Sequence, residues 1–235
     1  MERLKCVGGA LEFRYDSETV RVEAWGKDSL RVRATRLYEM PKEDWALLKQ
    51  EESWCEINIS ETEGTIRNGK ITASINHAGK LLLEEYVRNR RDVFDSKCSA
   101  LEIEGRAYKP LQGSDYKLIV SFESLDPEEK IFGMGQYQQP FLNLKGTDLE
   151  LAHRNSQASV PFMISSLGYG FLWNNPAVGR VVFGRNKTTW EAESSKKIDY
   201  WVTAGDTPAE IEENYASVTG TVPQMPEYGL GFWQS

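Results

Sequence analysis

The side chains that most often carry enzyme chemistry are scarce or poorly spaced in this sequence. His77 and His153 are the two histidines, and neither has Cys, Asp or Glu neighbours at a metal-ligand spacing. The sequence contains no Gly-x-Ser-x-Gly motif, and Gly133-Met134-Gly135 lacks the third glycine of a dinucleotide-binding loop. We therefore expect no metal ion and no cofactor.

Acidic residues are so numerous that the sequence does not identify a catalytic pair among them. Retaining hydrolysis of a glycosidic bond, for example, needs two carboxylates about 5 Å apart. The 35 Asp and Glu residues allow many such pairs, and most of these side chains must lie on solvated faces. We assign no catalytic residue within this chain.

A polar stretch from Gln136 to Asn155 has the composition of a binding loop. It follows the Gly-x-Gly at 133–135, which lets the backbone turn sharply. Amides and a guanidinium can hydrogen-bond hydroxyl groups, while aromatic rings pack against C–H faces. We predict a substrate-binding role for Gln136, Tyr137, Gln138, Phe141, Arg154 and Asn155. An ordinary surface connector is the alternative interpretation of this stretch.

Charge and cysteine content exclude some partners and compartments. The 235 residues include 28 basic and 35 acidic side chains, and the net charge of −7 disfavours binding to nucleic acid. No run is apolar enough to span a membrane, and no apolar signal segment follows Met1, so we expect a cytoplasmic location. Cys6, Cys55 and Cys98 are odd in number and far apart, which predicts reduced thiols. The oligomeric state stays open.

The elements that must position these residues are short strands. Val20, Val22 and Ala24 alternate with charges, and the same pattern returns at 30–34 after a turn, which predicts a half-buried hairpin with Arg31 and Arg33 facing outward. Asn68-Gly69 predicts a second hairpin, between 65–67 and 71–75. Further strands are predicted at 101–103, 116–122, 131–134, 162–164, 169–173, 181–183 and 198–202. This spacing indicates an all-β antiparallel sandwich or barrel.

One helix is predicted near the end of the chain. Thr207 is a suitable N-cap, Pro208 suits the first turn, and Ile211, Tyr215 and Val218 share one face. The segment 37–53 fits either a short helix or a mobile loop, and the sequence does not decide between them.

The last residues suggest a second domain. Pro223 and Pro226 form a stiff connector, and residues 228–235 have the composition of a buried strand with nothing to cover it. We therefore expect a β-sandwich domain at 1–222, followed at 223–235 by a linker and the first strand of a missing domain.

Four motifs in the second half resemble those of the N-terminal domain of family 31 glycoside hydrolases. They occur in the order and at the spacing that this family shows, and residues 1–130 add a compatible strand pattern. The motifs are Ile131-Phe132-Gly133-Met134-Gly135-Gln136, the hairpin from Val160-Pro161-Phe162 to Asn174-Asn175-Pro176, the segment from Asp199-Tyr200 to Thr207-Pro208, and the segment from Val218-Thr219-Gly220 to Trp233-Gln234-Ser235.

This resemblance implies a galactose-mutarotase-like supersandwich that leads into a (β/α)₈ barrel. In such enzymes an Asp nucleophile and an Asp acid/base lie on the barrel, so the chain alone is expected to be inactive. Residues 136–155 would reach over the barrel and help to bind an oligosaccharide, and we expect them to be loosely ordered without it. The residues Gln136-Tyr137-Gln138-Gln139 and the short loop to Asn155 look more like the α-xylosidase branch than like the longer loop of many α-glucosidases.

Two other classes of protein remain as alternatives. A free-standing carbohydrate- or partner-binding sandwich could use exposed aromatic rings, although the 7 Trp residues fit core packing as well. A mutarotase-type epimerase would need His and Glu side chains on one concave face, and the two histidines are poorly placed for that.

Overall fold

The computed structural model of the chain describes residues 3–50, 54–85, 94–96, 105–124 and 126–231. Within them lie eighteen strands, one α-helix and one 3₁₀ helix. The predicted strand at 101–103 lies outside the described residues. No helix in the described part is long and apolar enough to cross a membrane.

All strands that pair in the described residues are antiparallel and form three sheets. The eight-stranded sheet contains, in spatial order, β1 (Leu4–Val7), β2 (Ala10–Tyr15), β3 (Glu18–Ala24), β4 (Ser29–Thr35), β18 (Ile198–Ala204), β15 (Tyr169–Trp173), β14 (Ala158–Ser165) and β12 (Ile131–Gln136). One five-stranded sheet contains β10 (Arg106–Pro110), β11 (Tyr116–Glu123), β17 (Lys187–Ser195), β16 (Gly179–Phe183) and β13 (Asp148–Leu151). The other contains β5 (Glu56–Ile59), β6 (Glu63–Asn68), β7 (Ile71–Asn76), β8 (Leu81–Glu85) and β9 (Phe94–Ser96).

The core lies between the eight-stranded sheet and the two smaller sheets, as in a β-sandwich. Alternate residues of the strands point inward and form one continuous apolar cluster that draws on all three sheets. Phe171 of the large sheet stacks on Trp190 of a small sheet, with ring centroids 4.9 Å apart. The predicted all-β sandwich is confirmed.

Both predicted hairpins are present. In the first, Val22 pairs with Val32, and in the second, Asn68 pairs with Ile71 across a turn in which Gly69 has a φ of 57°. The side chain of Asn68 also donates to the carbonyl oxygens of Gly26 and Ser29, each at 2.7 Å. The two turns are therefore fastened to each other.

The predicted helix is confirmed as α1 (Pro208–Thr219). The hydroxyl of Thr207 accepts a hydrogen bond from the backbone N–H of Glu210 at 3.2 Å, and Ile211 and Val218 are buried. Tyr215 is half-buried and stacks on Phe162, with ring centroids 3.9 Å apart. The helix therefore covers the outer face of the large sheet.

The segment 37–50, called the strap below, is the described part of 37–53, and it forms a loop and not the short helix that was the other predicted structure. Its described residues adopt no regular secondary structure, but they pack along the outer face of the large sheet. Leu47 is buried in a cluster with Trp201 and Ile211, and the N–H of Leu48 donates to the carbonyl oxygen of Val218 at 2.8 Å. The strap is an ordered loop held by the helix and the sheet.

The linker and barrel strand predicted at 223–235 stay a prediction. Residues Glu227–Leu230 form a 3₁₀ helix, and the side chains of Tyr228 and Leu230 are 81% and 73% exposed. A strand needs a neighbour with which to exchange backbone hydrogen bonds, and none of the described strands pairs with this segment. Residues 232–235 lie outside the described residues.

Candidate functional site

The Gly-x-Gly at 133–135 forms a bulge within β12, which continues to Gln136 and stays paired with β14, whereas the sequence predicts a sharp turn at the end of the strand. Gly133, Met134 and Gly135 all have positive φ, and the register between β12 and β14 shifts at this point. A Cβ atom on Gly133 would lie 2.8 Å from the carbonyl oxygen of Phe162, so this close approach requires glycine. The buried side chain of Met134 anchors the bulge in the core.

The predicted binding stretch is more ordered than the sequence suggests. Its residues 148–151 form β13, which pairs with β16 in the second sheet. Asn143 accepts from the N–H of Ile131 at 3.0 Å, and the N–H of Leu144 donates to the carbonyl oxygen of Ile131 at 2.8 Å. Two shorter irregular segments, 137–147 and 152–157, therefore replace one long loop.

A buried carboxylate fixes the start of this region. Glu129 accepts hydrogen bonds from Ser165 at 2.6 Å, Tyr169 at 2.5 Å and the ammonium group of Lys145 at 2.7 Å. Burial alone would raise the pKa of Glu129, but these hydrogen bonds outweigh it, and the pKa lies below its usual value. Glu129 therefore holds β14, β15 and the 137–147 segment together as a charged group.

Tyr137 and Arg154 already have partners within the chain. The hydroxyl of Tyr137 donates to the carbonyl oxygen of Glu150 at 2.9 Å and lies 2.9 Å from the hydroxyl of Ser159. Burial and the nearby Glu150 carboxylate raise the pKa of Tyr137. Arg154 donates through Nε to the same carboxylate at 3.0 Å, which raises the pKa of Arg154 and lowers that of Glu150.

The other four predicted residues, Gln136, Gln138, Phe141 and Asn155, are exposed. The Phe141 ring is 63% exposed, an unusual position for a large apolar side chain. These four residues are accessible, but the structure does not gather all six into one pocket.

A cleft of about 660 Å³ opens beside the return of this segment to the sheet. Arg154 is the one predicted site residue that lines it. The rest of the lining comes from 45–46 of the strap, 151–153, 159–161, the turn at 172–178 and Tyr215 of the helix. Leu151, Val160, Pro161 and Leu172 make much of this surface apolar.

Sequence reasoning missed several lining residues. Trp45 lies in a segment without any motif, whereas Asn174, Asn175 and Pro176 belong to one of the four motifs that resemble family 31. His153 also lines the cleft, and its Nδ1 accepts from the N–H of Ser159 at 3.3 Å. The Asn-Asn-Pro motif was the signal that could have located this cleft.

A buried ionic cluster holds the strap against the outer face of the large sheet. It includes Arg31, which lies on that outer face as predicted but is buried and not exposed to solvent. Arg31 and Asp199 are fully buried and joined by two hydrogen bonds, of 3.0 and 2.6 Å, and Asp44 of the strap is the second partner of Arg31. Lys197, also buried, lies 3.4 Å from Asp199 and 4.7 Å from the centre of the Trp45 ring. Burial, with Arg31 and Arg33 nearby, lowers the pKa of Lys197.

The described residues offer no group of three or more His, Cys, Asp or Glu side chains placed to hold a metal ion. His77 and His153 lie in separate turns, after β7 and after β13. The thiols of Cys6 and Cys55 are free, and Cys98 lies outside the described residues.

The match to a known family agrees with the sandwich and with the motifs around the cleft. Residues 19–181 match the glycosyl hydrolase 31 N-terminal galactose mutarotase-like domain. The chain therefore belongs to the family of N-terminal domains of family 31 glycoside hydrolases.

Individual relatives are consistent with this assignment. A protein of Pseudescherichia vulneris described as an uncharacterized family 31 glucosidase is 48% identical over 96% of this chain and 46% of its own length. Alpha-xylosidase A of Aspergillus niger is 28% identical over 96% of the chain and 33% of its own length. The crystal structure of a family 31 α-xylosidase from a soil metagenome, complexed with xylose, superposes with a TM-score of 0.91 at 45% identity, covering 99% of this chain and 36% of that one. The chain thus spans less than half the length of these proteins.

Proposed function

We propose that this chain is the non-catalytic N-terminal domain of a retaining α-glycosidase that removes terminal α-linked xylose or glucose from oligosaccharides. The observation that carries the proposal is that nearly the whole chain aligns with less than half of a family 31 glucosidase at 48% identity. The names of further relatives, among them the Aspergillus niger α-xylosidase, favour xylose over glucose. The chain's partners are then its own catalytic barrel and the oligosaccharide.

The catalytic carboxylates are assigned to the barrel, and the 235-residue chain is accordingly inactive by itself. The free thiols of Cys6 and Cys55 support a reducing, cytoplasmic location. A free-standing carbohydrate-binding module is the less favoured alternative, because the relatives that match along nearly the whole chain are much longer than it.

We further propose that the region 136–155 contributes to the sugar pocket of the full enzyme. Exposed amides at Gln136, Gln138 and Asn155 leave hydrogen-bonding groups for sugar hydroxyls, and the exposed ring of Phe141 offers a surface for C–H groups. The bulge at Gly133 and the hydrogen bond between Leu144 and Ile131 hold the base of this surface in a fixed position. Binding residues commonly lie on such loops above a stable sheet.

Phe141→Ala in the full enzyme tests this role most cleanly, because the ring is exposed and its removal leaves no cavity. We expect a raised KM on aryl α-xylosides, or a changed preference between two aglycones, at an unchanged melting temperature. Leu111→Ala, at an exposed apolar site between β10 and β11, is the matched control and should leave the kinetics unchanged. Arg154→Ala and Tyr137→Phe are the other two site variants. If all three variants keep wild-type kinetics, the region 136–155 does not bind substrate and is a surface connector.

A further inference from the structure

A buried ion pair joins the proposed sugar-binding segment to the large sheet. The ammonium group of Lys145 lies 2.7 Å from the carboxylate of Glu129, and these side chains are only 8% and 4% exposed. The same carboxylate accepts hydrogen bonds from Ser165 of β14 and Tyr169 of β15. The pair therefore links the return leg of the segment, residues 143–147, to two strands of the sheet.

The particular contribution of such a pair is geometry. Taking both charges out of water offsets most of their attraction, and apolar residues of similar volume in place of a buried pair often leave a protein equally stable. Removing one partner alone is costly, because the other charge then stays buried without compensation. Charge-assisted hydrogen bonds are short and directional, so this pair fixes where Lys145 lies relative to the sheet.

The position of Lys145 sets that of the exposed tip of the segment, residues 138–142. The outgoing leg is anchored by the hydroxyl of Tyr137 and the return leg by the backbone N–H of Leu144, each through a hydrogen bond to another part of the chain. The Phe141 ring lies between these two anchors and is 63% exposed. Because only a few residues separate the anchors, a shift of the return leg moves the ring.

We propose that Glu129 and Lys145 are positioning residues for the substrate: their ion pair holds the Phe141 surface where the sugar binds and thereby sets KM. This inference rests on the pocket role proposed above for 136–155. It adds that sugar binding depends on a pair that is itself buried away from the substrate.

The test compares Glu129→Gln, Lys145→Met and the double variant Glu129→Gln/Lys145→Met in the longer enzyme, with an aryl α-xyloside as substrate. Lys117→Met is the matched control, because it breaks an ion pair with Glu193 on β11, which β17 and β16 separate from β13. Urea titration measures stability, and kcat is expressed per folded enzyme. In the 235-residue chain, hydrogen exchange at the amide of Leu144, which donates to the carbonyl oxygen of Ile131, measures the anchor without any need for activity.

The double variant separates positioning from stability. Neither charge of the pair remains in it, so we expect its stability to return toward the wild-type value. Its KM should nevertheless stay raised by about tenfold, with kcat within about twofold of wild type. Exchange at Leu144 should be faster by about tenfold, because the return leg opens more often. Lys117→Met should match wild type in KM and in exchange.

Two results overturn the inference: a double variant that regains the wild-type KM together with its stability, or one in which exchange at Leu144 is unchanged. If the double variant does not fold, Glu129→Gln decides by the same two measurements, since its amide still offers an acceptor to Tyr169. Failure of the pocket role itself gives a different result, because Phe141→Ala then also keeps the wild-type KM. A raised KM in Phe141→Ala alone would overturn only the role of the ion pair.

Discussion

Arg31 shows how a regular strand pattern can mislead about a single residue. Alternation along β4 places Arg31 on the face away from the core, which in a two-layer protein is the face in contact with solvent. Here that face is covered by the strap, and the guanidinium is buried between Asp199 and Asp44. The strap has no periodic pattern, so nothing in the sequence indicated that a further layer covers β4.

We predict that Arg31→Met lowers the free energy of unfolding by about 3 kcal/mol, because among the described residues it leaves Lys197 as the remaining ion-pair partner of the buried Asp199. Urea titration measures this change. Arg180→Ala, which breaks an exposed pair with Asp148, is the control and should cost about 1 kcal/mol or less. The double variant Arg31→Met/Asp199→Asn should cost less than the sum of the single changes. Equal losses in Arg31→Met and Arg180→Ala would contradict the buried cluster.

Glu129 supports a prediction about pH. Because its pKa is lowered by folding, the charged form contributes stability above the unfolded pKa of about 4.3, and this contribution is lost as the pH falls through the folded pKa. Glu129→Gln removes the titration. We expect wild type to be clearly more stable than Glu129→Gln at about pH 6, with the difference shrinking below about pH 4. Denaturant titrations across this range measure it, and a difference independent of pH would show that Glu129 is not held as a carboxylate.

At the scale of elements, α1 tests the packing of the outer face. We predict that Ile211→Ala costs about 2–4 kcal/mol of unfolding free energy, because it removes buried contacts with Phe162 and Trp201 and leaves a cavity. Thr207→Ala should cost about 1 kcal/mol through the lost cap. Glu212→Ala, on the exposed side of the same helix, is the matched control and should be close to neutral. A neutral Ile211→Ala in denaturant titration would show that the helix does not pack as described.

Elements with local signals were predictable, and those defined by distant contacts were not. Thr207 and Pro208 mark the helix start, and Asn68-Gly69 marks a hairpin, through chemistry confined to a few residues. Strand β13 was hidden inside the polar stretch because its register depends on β16, more than 25 residues away. The strap is held by single contacts such as the hydrogen bond between Leu48 and Val218. Such contacts do not produce a regular hydrophobic pattern in the sequence.

The candidate site was predictable only in part for the same reason. The glycine spacing predicts an unusual backbone at 133–135 but not that it is a bulge within a continuing strand, and Arg154 lies on the cleft as a predicted site residue. Trp45 and Asn174 are 129 positions apart and line the same cleft because the strap crosses the end of β15, where the N–H of Ala46 donates to Asn174. No spacing rule connects residues at that separation.

At the scale of the whole molecule, the fold of this domain and the location of the catalytic activity rest on different observations. The sandwich and its family follow from the sheets, the core and the match to residues 19–181. In the function proposed above, the activity belongs to a longer protein of which this domain is one part. Under that proposal, the domain supports the substrate pocket and the chemistry takes place on the barrel.

The most direct test is the rate of hydrolysis of 4-nitrophenyl α-D-xylopyranoside by two purified proteins, the 235-residue chain and the longer protein encoded by the same reading frame. The account predicts catalytic release of nitrophenol by the longer protein and only the uncatalysed background with the chain alone. Two results would contradict it: turnover by the 235-residue chain that persists through repurification, or a folded longer protein that is inactive on both this xyloside and the corresponding α-glucoside.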